Sequence, residues 1–231
     1  MSQPQSFTAL EKAIGSHFKN KDLLVQALTH RSAVRQAGAN GHNERLEFLG
    51  DAVLELAATA YLFRRGASKS EGELTNWRSA LVQGEHLAEV AKSIKLGNYL
   101  YMSRGEEASD GRAKVSTLAN ALEALIGALY LDQGYETAED FCMKFILHNL
   151  DALLAQGKHR DEKSVFQEVA QEKTGITPHY EVVEEEGPDH EKLFTCAVFI
   201  GTEKVAQGSG NSKQRAEQAA AKAGLKKKGW K

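Results

Sequence analysis

The run Asn43-Glu44-Arg45-Leu46-Glu47-Phe48-Leu49-Gly50-Asp51-Ala52-Val53-Leu54 decides how the rest of this chain is read. As an α-helix, at about 100° per residue, it places Glu44, Glu47 and Asp51 within an arc of about 60°. Leu46, Leu49, Val53 and Leu56 form an apolar stripe on the opposite side, the expected core face. Phe48 falls about 40° from Glu44, beside the acids and away from that stripe. Any surface helix has a polar face, so an ordinary solvated helix is one reading. Three acids on one strip repel each other, however, and a bound cation is a physical reason to keep them there. A large apolar residue beside them asks for a partner surface. The alternative for Phe48 is a contact with another helix of its own fold.

The bulk numbers frame this reading. With 231 residues, 42% of them hydrophobic, the chain has room for one large domain or two smaller ones. No apolar stretch approaches the ~20 residues that span a bilayer, so no membrane contact is expected. Met1 to Phe7 lacks the basic start and apolar middle of a signal peptide. Cys142 and Cys196 stand far apart without metal-ligand spacing, which suggests reduced thiols in a cytoplasm. The net charge is −2, but it is unevenly spread. Residues 181–191 carry six acids and no Lys or Arg, whereas residues 211–231 set seven Lys or Arg against Glu217 alone. A locally basic end matters more to a polyanion than the global sum, although a solvated lysine tail looks similar.

Up to about residue 155 the pattern is helical. Helices are expected over 22–31, 44–65 (closed by Gly66), 85–94, 115–131 and 137–154, with Ser70 capping another that carries Leu74, Trp77, Leu81 and Val82. Prolines are absent between Pro4 and Pro178, which suits a helical bundle. The apolar period lapses over 156–162, read as a linker. Beyond it a helix over 163–174 precedes strands at 179–184, 193–200 and 204–208, with Phe194, Cys196, Val198 and Ile200 sharing one face. A last helix is expected over 212–227. The expected architecture is an all-α domain over 1–155 followed by a compact α+β module, in the order α-β-β-β-α, over 163–231.

The helix around Leu118 to Tyr130 is apolar on nearly all sides, yet contains Glu123 one turn after Asn120. A buried carboxylate is costly unless paired, protonated or metal-bound. Arg45 or Arg78 could pair with it. Alternatively, Glu47, Asp51 and Glu123, with Asn120 nearby, converge from two helices on a hard divalent cation. Oxygen-only ligation points to Mg²⁺ or Mn²⁺ rather than zinc, and such a cation activates water for attack on a phosphodiester.

Taken together, these residues resemble the bacterial ribonuclease III family, the double-stranded-RNA endoribonucleases, over nearly the whole chain. The run Asn43 to Leu54 is similar to that family's signature helix almost letter for letter. Leu28-Thr29-His30-Arg31-Ser32, Glu71-Gly72 and Glu123-Ala124-Leu125-Ile126-Gly127-Ala128 match further blocks in the right order. The C-terminal module is similar to a double-stranded-RNA-binding domain, in its element order and in Gly208-Ser209-Gly210-Asn211-Ser212-Lys213-Gln214-Arg215-Ala216-Glu217. The resemblance implies that Glu47, Asp51 and Glu123 bind metal, and that Glu44 and Glu71 assist catalysis or substrate placement. It implies a homodimer with two active sites along one cleft, Phe48 inserting into the partner subunit. The cofactor implied is Mg²⁺, with Mn²⁺ as a substitute, and no organic cofactor. RNA contacts implied are Gln167, Glu168 and His190 at the minor groove, and Asn211, Ser212, Lys213 and Arg215 at phosphates.

One metal position departs from the family: Asn120 stands where an aspartate is usual. An amide oxygen can ligate Mg²⁺ but carries no charge, so weaker metal affinity is expected. Gln214 and Glu217 likewise replace lysines of the RNA-binding motif, implying modest affinity. The activity implied is hydrolysis of both strands of duplex RNA, leaving 5′-phosphate and 3′-hydroxyl ends, in the processing of ribosomal RNA precursors and structured messenger and small RNAs. Two rivals remain: a double-stranded-RNA-binding protein whose catalysis is weakened or lost through Asn120, and a helical scaffold without RNA affinity.

Overall fold

The computed structural model describes residues 7–33, 41–157, 162–188 and 192–230. The chain divides into two compact units, residues 1–159 and 160–231. In the first, the described helices are α1 (Phe7–Ile14), α2 (Lys21–Ala27), α3 (Glu44–Arg65), α4 (Glu71–Val82), α5 (Gly84–Ser93), α6 (Arg104–Ala108), α7 (Val115–Gln133), α8 (Tyr135–Phe145) and α9 (Leu150–Ala155). Short 3-10 turns occupy Arg31–Ala33, Leu96–Tyr99 and Leu147–Asn149.

The apolar all-round pattern of α7 makes it the centre of this unit. Leu118, Leu122, Leu125, Ile126 and Leu129 are buried, and so are Leu46, Val53, Leu54 and Leu62 of the facing α3. Each such side chain contributes roughly 1.5–3 kcal/mol by leaving water. Helix α4 starts at a capping box: Ser70 Oγ accepts from the Glu73 amide (3.3 Å), and the Ser70 amide donates to Glu73 Oε2 (3.0 Å). Among the described residues no helix is long and apolar enough to cross a membrane.

Several expectations need correction. Helix α2 ends at Ala27, because the next residues pair with another segment: the Tyr101 amide donates to Leu28 O (2.9 Å) and the His30 amide to Tyr101 O (3.0 Å). The single helix expected over 137–154 is two, broken after Phe145, whose freed carbonyl accepts from Asn149 Nδ2 (3.2 Å). Leu56 is not in the core but 57% exposed, since the buried face of α3 continues through Leu54, Ala57, Ala58 and Leu62 instead. Helices α1 and α6 lie outside the expected set, although α1 is amphipathic and Ser103 caps α6 by accepting from the Glu106 amide (3.3 Å).

The second unit is α10 (Glu162–Thr174), a three-stranded antiparallel sheet in the order β1 (His179–Glu186), β2 (Leu193–Ile200), β3 (Glu203–Gly210), and α11 (Lys213–Lys228). Cys196, Val198 and Ile200 alternate inward onto Phe166, Ala170, Ala216 and Ala220. A Cβ on Gly208 would lie 2.4 Å from the backbone of α11, so β3 and that helix pack backbone to backbone. Ser212 caps α11 by accepting from the Arg215 amide (3.2 Å). Both cysteines are free and buried.

Candidate active site and nucleic-acid interface

Two glycines position the acids. An ideal Cβ on Gly50 would lie 1.7 Å from the carbonyl oxygen of Glu123, and one on Gly127 would lie 2.2 Å from that of Leu46. Helices α3 and α7 therefore touch through their backbones, with no side chain between them. Glu47 and Asp51 sit within a turn of the crossing on α3, and Asn120 and Glu123 within two turns on α7. Nothing bulkier than glycine permits this approach.

The charge state follows from that proximity. Burial pushes the Glu123 carboxyl up to about 7, and the negative charges of Asp51 and Glu47 add to the effect. Burial also raises Glu47, followed by the Glu44 charge; the Asn120 side chain opposes the rise as a hydrogen-bond partner. Asp51 is exposed, while Glu47, Asn120 and Glu123 are half-buried. Neither arginine considered for Glu123 pairs with it: Arg78 Nε is 3.0 Å from Glu55, and Arg45 is exposed. The group is thus short of positive charge, and its donors (carboxylate oxygens and one amide) suit a hard divalent cation. Among the described residues no three His, Cys, Asp or Glu side chains stand close enough to hold a metal ion as they are. Mutual repulsion spreads uncompensated carboxylates apart.

Glu44 is placed differently. It is half-exposed, with Arg31 Nη1 and His42 Nδ1 each 3.6 Å from its carboxylate. Sequence reasoning missed Arg31 and His42 as its neighbours, although Arg31 lies in a matched block and His42 directly precedes another. Glu71 stands apart from the acid strip. As the first residue of α4 it accepts from Thr75 Oγ1 (3.1 Å) and lines a cavity with Thr59, Leu62 and Phe63. Those residues lie about 18–24 Å along α3 from Glu47. Phe48 is 80% exposed, and with Leu56 and Phe63 it forms an open apolar face on α3.

In the second unit Gln167 and Glu168 are exposed on α10, lining a shallow cavity with Ser164, Gln171 and Thr177. Asn211, Lys213 and Arg215 are exposed around the start of α11, where Arg215 Nη1 donates to Asn211 Oδ1 (3.3 Å). Backbone amides and the helix dipole at this end favour phosphate. Glu217 pairs with Lys163 Nζ (2.7 Å). His190 lies outside the described residues.

Comparisons with known proteins agree with this layout. A family model described as Ribonuclease-III-like matches residues 20–150, and one described as double-stranded RNA binding motif matches residues 162–228. The Ribonuclease 3 of Pelotomaculum thermopropionicum is 45% identical over 222 residues, covering 95% of this chain and 92% of the relative. That of Campylobacter fetus subsp. fetus is 43% identical over 212 residues, 92% of this chain and 93% of the relative. A solved nuclease domain of ribonuclease III from Campylobacter jejuni, with structural flexibility in a region involved in dimer formation, superposes with a TM-score of 0.59 at 43% identity, covering 62% of this chain and 98% of that one. An all-α unit built on the acidic helix crossing, followed by a double-stranded-RNA-binding module, places this chain in the ribonuclease III family, the endoribonucleases of double-stranded RNA.

Proposed function

We propose that the chain is a Mg²⁺-dependent homodimer that cuts both strands of duplex RNA, leaving 5′-phosphate and 3′-hydroxyl ends. The observation that carries this reading is the group Glu47, Asp51 and Glu123, assembled at the Gly50–Gly127 crossing with no compensating cation among the described residues. Those three carboxylates and the Asn120 amide oxygen would hold Mg²⁺, with Mn²⁺ as a substitute. A bound ion of this kind polarises the scissile phosphate and lowers the pKa of attacking water. Glu44, beside Arg31 and His42, assists at the edge of the same strip.

The exposed face Phe48, Leu56 and Phe63 supports a two-fold pairing of α3 with its copy. The dimer-forming region of the related Campylobacter jejuni nuclease domain is in keeping with such a pairing. Pairing α3 antiparallel to its copy brings the far end of one helix beside the acids of the other. Glu71 of one protomer then serves the site of the second, which accounts for its separation from Glu47. Phe48 enters the partner subunit.

Gln167, Glu168, His190, Asn211, Ser212, Lys213 and Arg215 hold the duplex, and residues 156–162 link the two units. The substrates are ribosomal RNA precursors and structured messenger and small RNAs, in a cytoplasm that keeps Cys142 and Cys196 reduced. The test is a long perfect RNA duplex incubated with Mg²⁺ or with chelator, beside an Asn120→Asp variant. Short duplexes appearing only with Mg²⁺ are expected. Bound but uncut RNA, with cutting restored by Asn120→Asp, establishes the binding-only alternative instead.

A further inference from the structure

Lys213, the first residue of α11, is not an open cation. Its Nζ lies 3.4 Å from Oε1 of Glu185 on β1, while Lys192 Nζ lies 3.2 Å from Oε2 of the same carboxylate. Both ammonium groups also sit over the ring of Phe194, at 5.6 and 6.0 Å from its centroid. The sheet register explains the gathering. Glu185 is paired with Phe194, and Phe194 with Gly210, so one row across the three strands runs from the carboxylate to the residues that launch α11. Lys192 directly precedes β2.

A phosphate approaching the start of α11 meets a lysine already facing a carboxylate. The pair is open to water and individually weak, so it yields readily. The carboxylate's negative charge remains when Lys213 swings towards a phosphate, and it lowers the local potential by which a polyanion is attracted. Glu185 faces two lysines and belongs to the unit that does not carry the catalytic group.

We propose that Glu185 sets the affinity of this module for duplex RNA by competing with the backbone phosphate for Lys213. The inference rests on the reading that the start of α11 contacts phosphate. Glu185 thus acts as a built-in brake on binding, and neutralising it strengthens the grip without adding a contact.

The experiment measures binding of the full chain to a perfect RNA duplex of about 20 base pairs, longer than the ~16 such a module spans, in chelator so that nothing is cut. Five proteins are compared over a salt series: the parent chain, Glu185→Gln, Glu185→Thr, Lys213→Gln and the Glu185→Gln/Lys213→Gln double variant. Glu185→Thr serves as a second neutral variant suited to a strand, and circular dichroism checks each fold. Glu185→Gln and Glu185→Thr are expected to tighten binding about threefold to tenfold at low salt, with a salt slope steeper by up to about one counterion. The gain should be less than half as large in the Lys213→Gln background, where only the carboxylate's long-range effect remains. Unchanged or weaker binding by the folded Glu185 variants overturns the proposal. An equal gain with Lys213 already removed also overturns it, by showing only a general charge effect. If Lys213→Gln itself leaves affinity unaltered, the underlying reading of α11 fails, a result separable from the other two.

Discussion

The two units handle charge in opposite ways. At the helix crossing, half-buried Glu47 and Glu123 and exposed Asp51 bring negative charges near one another, with no cation paired to Glu123 among the described residues. On the second unit's surface, several acids are paired with lysines: Glu185 with Lys192 and Lys213, Glu217 with Lys163, Glu203 with Lys228 (2.8 Å). Gathering like charges raises the energy of the site until a cation enters, so the first arrangement suits chemistry. Matched, solvated charges cost little to rearrange, so the second suits graded affinity.

Breaking the first arrangement at its centre gives the largest effect. Glu123→Gln should reduce cleavage of duplex RNA in Mg²⁺ by on the order of 10³-fold, the loss of several kcal/mol of transition-state stabilisation. Binding in chelator should be unaffected, as measured by gel shift. A parallel loss of binding and cleavage would remove Glu123 from its assigned role.

Gly50→Ala attacks the crossing instead. The added methyl would fall 1.7 Å from a backbone oxygen, so the helices must separate. A loss of about 3 kcal/mol in denaturant unfolding is expected, together with most activity. A variant of normal stability would mean that the helices part cheaply.

Asn120→Asp sharpens the comparison by adding one more negative charge. Half-saturation by Mg²⁺, followed by the metal-induced rise in melting temperature, should occur at roughly tenfold lower concentration, about 1.4 kcal/mol at one site. Without metal the variant should melt lower than the parent chain.

The smallest effect is one of pH, and its sign differs between the half-buried acid Glu123 and the paired surface acids. Glu123 has a folded pKa of about 7 against an unfolded value of 4.5. Its contribution is therefore fully present below about 4.5 and is lost as pH rises through 7. Glu185, held below its ordinary value by Lys192 and then Lys213, and Glu203, held down by Lys228, contribute above 4.5 and are lost as pH falls further. Metal-free melting should show the nuclease unit weakening from about pH 5 to about pH 8, and Mg²⁺ should flatten that decline. A metal-free nuclease unit indifferent to pH in this window would contradict the crowding of its acids.

Much of this was legible because helical periodicity is local. The acid strip on α3, the Ser70 cap, the inward face of β2 and the position of Glu123 on an otherwise apolar helix all follow from spacing alone. Long-range pairing was not legible. Leu56 belongs to a stripe by period, and period alone cannot tell a core face from an exposed one. The break after Phe145 has neither Gly nor Pro to announce it; it depends on Asn149 reaching back to a carbonyl. The contact of Glu185 with Lys213 joins residues far apart in the chain and needs the register of two strand pairs. The pairing of Thr29 with Tyr101, which ends α2 early, is equally invisible locally.

The backbone contact between α3 and α7 also bears on how this site tolerates sequence change. Where two helices are spaced by side chains, every exchange of a leucine for a methionine or valine shifts the elements they separate. Here the spacing at Gly50 and Gly127 is set by peptide groups, whose dimensions no substitution elsewhere alters. The surrounding core can therefore drift widely in composition while the separation of the carboxylates stays constant. Mutational scanning of the nuclease unit should find a permissive apolar interior around a few intolerant points, two of them residues without side chains.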